Sequence, residues 1–335
     1  MSRNARFLPV LTLTVAVLSA IGVLVAGCIA AEEILDPEKA RSDPDFSVQG
    51  EYLGEGTVFG ASPAPIGAQV VALGKGEFHV YLLEGGLPGA GWKRGQGRLR
   101  LDAKREGDTT RISGEGFQGT LAGGRMSLSG KATGNLQRTE RKSPTLGLEP
   151  PPGAVLLFGQ ANQGKENWLG GHLSPLGYLL GDAESKQKFG DYTLHLEFML
   201  SYMPTARGQG RSNSGVYIHD CYELQVLDSF GLTGENNECG GFYSIKAPDV
   251  NMCLPPLVWQ TYDIEYTGPR YDAAGNKTAC ARITVKHNGV TIHDHVELPK
   301  GTPGRKPEGP GPRALFLQGH GNRVQYRNVW VHEKK

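Results

Sequence analysis

Cysteine, methionine and net charge are all scarce in this chain of 335 residues, which has 5 cysteines, 5 methionines and a formal charge of +1. A charge so near zero removes the electrostatic basis for holding nucleic acid or an anionic membrane surface. No run after Cys28 is long and apolar enough to span a bilayer. The cysteines beyond it, Cys221, Cys239, Cys253 and Cys280, lack C-x-x-C spacing, which argues against a zinc–thiolate centre. Helix-period segments are missing too, apart from a short helix-like DAESK at 182–186. The glycine-rich stretch EGGLPGAGW at 84–92 does not lead from a strand into a helix, so no dinucleotide fingerprint is present.

What the chain has instead is turn chemistry and export chemistry. Its 48 glycines and 21 prolines, set among short alternating runs, point to an all-β protein. At the N-terminus, Arg3 and Arg6 precede an uncharged stretch from Phe7 to Cys28, the pattern of an export signal over 1–30. Val25-Ala26-Gly27-Cys28 resembles a lipobox, which would make Cys28 a lipidated N-terminus; Cys28-Ile29-Ala30 also fits ordinary signal cleavage. Both outcomes place the folded chain in the periplasm or at the cell surface, with membrane contact only through the signal or its lipid. Disulfides persist there. Four cysteines allow three pairings. The short loop between Cys239 and Cys253 makes that bridge the first expectation, with Cys221–Cys280 as the second.

Charged, apolar-poor residues 31–45 read as a tether. Short strands separated by Gly and Pro turns then define a small β domain over 46–136, with a hairpin signal at Gly74-Lys75-Gly76 and no chemical cluster. Residues 137–151 read as a polar, Pro-ending linker, and 152–335 as a second β domain with the strand density of a sandwich or jelly roll.

Alternation sorts side chains onto two faces. In the strand from Tyr192, Leu194, Leu196 and Phe198 point inward and His195 and Glu197 outward. Leu224 and Val226 face inward, Glu223 and Gln225 outward. Leu315 and Leu317 face inward, leaving Phe316, Gln318 and, past Gly319, His320 outward. Were these strands neighbours, one sheet would carry a face of Glu, Gln and His, with Tyr217, Tyr222, Phe242 and Tyr243 nearby. Carboxylates, amides and rings suit sugars, whose hydroxyls need paired donors and acceptors and whose C–H faces stack on aromatics.

Five ordered motifs carry a resemblance. Phe189-Gly190-Asp191-Tyr192 through Glu197-Phe198, Ser212-Asn213-Ser214-Gly215-Val216-Tyr217-Ile218 and Tyr222-Glu223-Leu224-Gln225-Val226-Leu227-Asp228 are the first three. Trp259-Gln260-Thr261-Tyr262-Asp263-Ile264 follows, and Leu317-Gln318-Gly319-His320-Gly321-Asn322 with Tyr326-Arg327-Asn328-Val329-Trp330-Val331 closes the set. Together they resemble the 3-keto-disaccharide hydrolase family over about 152–333. Two departures stand out: Ile218-His219 replaces a leucine–arginine-like pair, and Gly319 replaces an acidic or amide residue.

The resemblance implies a concanavalin-like jelly roll with a ligand site on its concave face. It also implies cleavage of a 3-keto-glycoside by elimination and hydration, the keto sugar being made by a separate 3-oxidase. The mechanism needs a base and a stabiliser for an enolate oxygen. Glu197, His320 and Glu223 are the candidate acid–base groups; Asn213, Gln225, Tyr217, Gln318, Arg207 and Asp228 are candidates for holding substrate. Their oxygens are also compatible with a divalent cation. A non-catalytic glycan-binding module on the same sandwich is the competing reading, and a structural surface protein a third.

Overall fold

The computed structural model describes residues 32–334; the expected export segment and Cys28 lie outside the described residues. Eight strands follow one another as an antiparallel meander: β1 (Gly50–Gly56), β2 (Ala64–Gly74), β3 (Glu77–Glu84), β4 (Arg98–Glu106), β5 (Thr109–Gly114), β6 (Phe117–Ala122), β7 (Arg125–Gly130) and β8 (Gly134–Thr139). Because β8 pairs back onto β1, the meander closes into a barrel and leaves no free edge. In β4 the alternation is explicit, with Leu101 and Ala103 buried and Arg100, Asp102 and Lys104 outside. The β2–β3 hairpin needs three successive left-handed residues, Gly74 (φ 84°), Lys75 (φ 57°) and Gly76 (φ 76°), two of which are glycine for that reason. Tyr52, Phe78, Leu82, Phe117 and Met126 fill the barrel interior. Each such side chain contributes about 1.5–3 kcal/mol on burial.

In the second half eleven strands form two large sheets, beside a small hairpin of Arg270–Tyr271 and Lys277–Ala279: β9 (Val155–Phe158), β10 (Trp168–Gly170), β11 (Ala183–Ser185), β12 (Tyr192–Met199), β13 (Ser214–Ile218), β14 (Tyr222–Val226), β15 (Trp259–Thr267), β16 (Ala281–His287), β17 (Val290–Leu298), β18 (Phe316–Leu317) and β19 (Gln325–Glu333). One sheet has the order β9-β19-β12-β15-β16-β17, the other β10-β11-β18-β13-β14. Leu194, Leu196 and Phe198 of the first share one core with Val216, Leu224 and Val226 of the second. Each sheet therefore turns its other face outward.

Four expectations are corrected. Of the expected tether over 31–45, the described residues 32–45 are packed. Asp36 and Asp43 cap two short helices, α1 (Pro37–Ala40) and α2 (Pro44–Val48), each with proline in its first turn. Glu33 pairs with Arg323 at 2.7 Å, and buried Asp45 accepts from Arg105 at 2.9 Å and from the Gly76 amide at 2.8 Å. Residues 137–151 are not a loose linker either. The first three complete β8, and the rest is a strap fastened to the outer face of the six-stranded sheet. Its Ser143 bonds Thr261 at 2.6 Å, Thr145 donates to Asp263 at 2.7 Å, and the Gly147 amide donates to Glu197 at 2.6 Å. The DAESK stretch is a strand, β11, because Ala183 and Ser185 alternate inward against the sandwich core.

The expected disulfides are absent: Cys221, Cys239, Cys253 and Cys280 are free thiols. Cys239 and Cys253, the first expected pair, are neighbours that remain thiols: both are fully enclosed, the one beside the Tyr262 hydroxyl at 3.3 Å and the other donating to the Leu227 carbonyl at 3.6 Å. Cys221 lies in the β13–β14 turn while Cys280 precedes β16 in the other sheet. Burial pushes the Cys221 thiol up to about 12, so it packs as a small apolar group.

Candidate active site

The outward face of the five-stranded sheet is built in transverse rows. Register pairs Glu184 with Phe316, Phe316 with Tyr217 and Tyr217 with Glu223, which makes one row. Beside it run Gln318, Gly215 and Gln225, with Gly215 opposite Gln225 and the Gln318 amide donating to the Gly215 carbonyl at 2.8 Å. Gly215 decides the shape of the row. A Cβ there would stand 2.5 Å from Glu223 Oε1, so only glycine lets the carboxylate lean across the strand.

Glu223 is 5% exposed. Its carboxylate accepts from the Tyr217 hydroxyl at 3.0 Å and meets no cation, while its backbone N–H donates to Thr302 Oγ1 at 2.9 Å. Burial therefore dominates and lifts the carboxyl from its ordinary 4.5 to about 7, against a smaller opposing pull from the Tyr217 hydrogen bond.

Around it, three buried amide oxygens have no hydrogen-bond partner: Asn213 Oδ1, Gln225 Oε1 and Gln318 Oε1. Their nitrogens are already committed. Asn213 Nδ2 donates to the Gln209 carbonyl at 2.8 Å, Gln225 Nε2 to Gln209 Oε1 at 3.1 Å, and Gln318 Nε2 to the Tyr217 hydroxyl at 3.4 Å. An acceptor left bare and buried costs about 1–3 kcal/mol, so three on one face are an acceptor set built for a ligand's hydroxyls.

The loop before β18 borders this face. Arg305 lies 3.8 Å from the Phe316 ring centroid and is held by Glu184 at 2.6 Å and Asp220 at 2.7 Å. Gly319 has its own explanation here. A Cβ at that position would fall 2.3 Å from the Asp182 carboxylate, which fills the room a side chain would take and accepts from the Gly319 amide at 3.1 Å.

Glu197 is elsewhere. It leaves β12 on the outer face of the other sheet, so the shared core separates it from Glu223. Burial alone would raise its pKa, but His195, the Gly147 amide, Arg327 and Asn328 together hold it at about 2. His195 sits between Asp263 at 2.6 Å and Glu197 at 3.8 Å. Burial opposes its protonation, yet the two carboxylates raise its pKa above the ordinary value. Such a saturated ion network suits fastening the strap to the sheet rather than moving protons.

The remaining candidates divide the same way. Asn213, Gln225, Tyr217 and Gln318 gather around Glu223. His320 is exposed two residues past Gln318, with no hydrogen bond among the described residues. Arg207 spends its guanidinium on carbonyls, Leu73 of the barrel among them at 2.9 Å, and Asp228 is locked to buried Arg211 at 2.6 Å. Tyr222 and Phe242 join the core, as does His219. Burial drives the His219 pKa down to about 4, and its ring packs 5.4 Å from Tyr266 instead of facing the site. Sequence reasoning missed Asp182, Glu184, Gln209 and Arg305. The first two carried a strand-alternation signal that the helix-like composition of DAESK hid; the others sit in loops without periodicity.

Residues 170–332 match the sequence model described as the 3-keto-alpha-glucoside-1,2-lyase-like domain. The chain carries a 3-keto-alpha-glucoside-1,2-lyase-like domain. All the residues around Glu223 belong to this lyase-like domain, and the match supports a carbohydrate-active role. No curated protein matches the chain. Two similar crystal structures, at 2.13 Å and 1.70 Å, are each described as a "putative glycosyl hydrolase" from Parabacteroides distasonis ATCC 8503. The first is 28% identical over 55% of this chain and 84% of its own, with a TM-score of 0.48. The second is 16% identical over 55% of this chain and 95% of its own, with a TM-score of 0.39. Among the described residues no group of three or more His, Cys, Asp or Glu side chains has the geometry of a metal site.

Proposed function

We propose that this chain is an exported enzyme that cleaves 3-keto-glycosides by elimination and hydration, with Glu223 as the base. The observation that carries the reading is the Glu223 carboxyl, buried without a cation and poised at about 7. A base acting near neutrality works best at such a pKa. A purely glycan-binding module has no use for a buried carboxyl that is half ionised, so catalysis is the better reading.

A C3 ketone acidifies the C2 hydrogen. The Glu223 carboxylate removes that proton, the freed electron pair becomes the C1–C2 double bond, and the oxygen on C1 departs and is protonated to an alcohol. Water then adds across the double bond. The sum is glycoside plus water giving a 3-keto sugar plus alcohol. Asn213, Gln225 and Gln318 accept from sugar hydroxyls, and Phe316 offers a ring to the C–H face. The same amide oxygens with Glu223 are the donors that would hold a hard divalent cation, which would polarise the ketone. A separate oxidase supplies the keto group. In this reading the two sheets form a concanavalin-like jelly roll, and the Arg3, Arg6 and Phe7–Cys28 pattern delivers it beyond the cytoplasm, freely or on a lipid at Cys28.

The test supplies the purified protein with a 3-keto-disaccharide and with the unoxidised parent. Cleavage of the keto compound alone, with solvent deuterium entering at C2, is the expected result. Cleavage of the parent alone, unaffected by Glu223→Gln, would overturn it. Gly215→Ala is expected to lower turnover per folded molecule at least about 10-fold, apart from a loss of about 1–3 kcal/mol in stability from the crowded methyl, because that methyl displaces the base by roughly an ångström.

A further inference from the structure

A cleft of about 860 Å³ opens on the other side of the sandwich from Glu223. It is lined by the strap, with Glu149 and Pro150, by the turn at Gln160 and Asn162, and by the segment with Leu176 and Tyr178. Arg327 lines it as well. Its Nε donates to Glu197 at 2.7 Å, and its guanidinium lies 3.9 Å from the centroid of Trp259, whose ring meets Tyr178 edge-on at 4.8 Å. The terminal guanidinium nitrogens make no hydrogen bond among the described residues, although the side chain is only 30% exposed. Four N–H groups are thus aimed by a rigid mount and left unspent.

The charges exclude an anion as the natural occupant. Arg327 is already matched by the ionised Glu197, and Glu149 adds a further negative charge at the rim, which penalises another carboxylate or phosphate. What the walls offer is neutral: amides of Gln160 and Asn162, the unspent N–H groups, and apolar faces from Tyr178, Leu176 and Pro150. Leu176 is 42% exposed, an apolar lip that nothing among the described residues covers. Ala161, between Gln160 and Asn162, holds φ 49° and ψ 37°, a left-handed backbone that costs a non-glycine residue about 1–2 kcal/mol. The turn is held in a conformation that local preference does not explain.

We propose that this cleft is a second carbohydrate-binding site, for a neutral glycan, separate from the Glu223 face. Hydroxyls take the N–H groups and amides while a sugar's C–H face lies on Tyr178 and Leu176. The site would keep the enzyme on a polymer while its other face works. It stands independently of the reaction proposed at Glu223.

The experiment is native electrophoresis of the full chain through gels containing a neutral α-glucan, β-glucan, mannan or galactan, and through one containing polygalacturonate. Retardation by at least one neutral polymer and none by polygalacturonate is expected. Tyr178→Ala and Gln160→Ala should each weaken it, Tyr178→Ala by at least about 10-fold, and Glu223→Gln should leave it unchanged. Gln160 is exposed, so its variant keeps the test valid if Tyr178→Ala unfolds. No retardation by any neutral polymer would overturn the proposal. So would retardation that survives the two cleft variants and is lost in Glu223→Gln, since the binding would then belong to the other face.

Discussion

Glu223→Gln is expected to cut cleavage of a 3-keto-glycoside by about 10²–10⁴-fold and, at pH 8, to make the protein more stable. The two effects share one cause. In the unfolded chain the carboxyl titrates at its ordinary 4.5, but in the folded chain at about 7. Between those values the folded state binds more protons than the unfolded state, so stability falls as pH rises through this window. Above pH 7 the folded protein carries an ionised carboxylate that burial opposes, at a cost on the order of 3 kcal/mol. Glutamine removes that cost and can still accept from Tyr217. Denaturant melts at pH 8 should show a gain of about 1–3 kcal/mol, shrinking to nothing near pH 4.5. Lost activity without the pH-dependent gain would mean that Glu223 is not the perturbed group. The gain without lost activity would remove it from the chemistry.

The opposite result is expected for Glu197→Gln, which should destabilise the protein by about 3 kcal/mol at pH 7 and leave turnover per folded molecule nearly unchanged. Here the folded pKa, about 2, lies below the ordinary 4.5. The sign is therefore reversed: the stabilisation is complete above pH 4.5 and is lost as pH falls through about 2. Removing the charge leaves His195 with Asp263 alone and strips Arg327 of its counter-charge, while the Gly147 amide of the strap loses a charged acceptor. Urea melts at pH 7 and pH 3 separate this from a cavity or packing effect, because the loss should shrink at the lower pH. A fall in kcat with stability preserved would return Glu197 to the catalytic machinery.

Much of the site was legible one strand at a time. The outward placing of Glu223, Gln225, Phe316 and Gln318 follows from the two-residue period, and the structure keeps all four on one face. Glu197 obeyed the same period and still misled, because facing outward does not say from which sheet. The strap over 140–151 was unreadable for a related reason: its polar residues look like a linker until Thr261, Asp263 and Glu197 come to meet them. The capped turns at Asp36-Pro37 and Asp43-Pro44 did carry a local signal, helix starts that the charge content of the segment masked.

By itself the sequence determined that the fold is of the all-β class, that its second half carries lyase-like motifs, and which side chains leave each strand away from the core. Those properties are local, set by alternation, turn residues and short motifs. Only the tertiary structure decided that two outward carboxylates, Glu223 and Glu197, stand on opposite sides of the sandwich with pKa values of about 7 and about 2. Strand order and desolvation depend on partners far away in the chain. One carboxyl was enclosed without a cation and the other among four donors, and that difference separates a candidate base from a structural anchor.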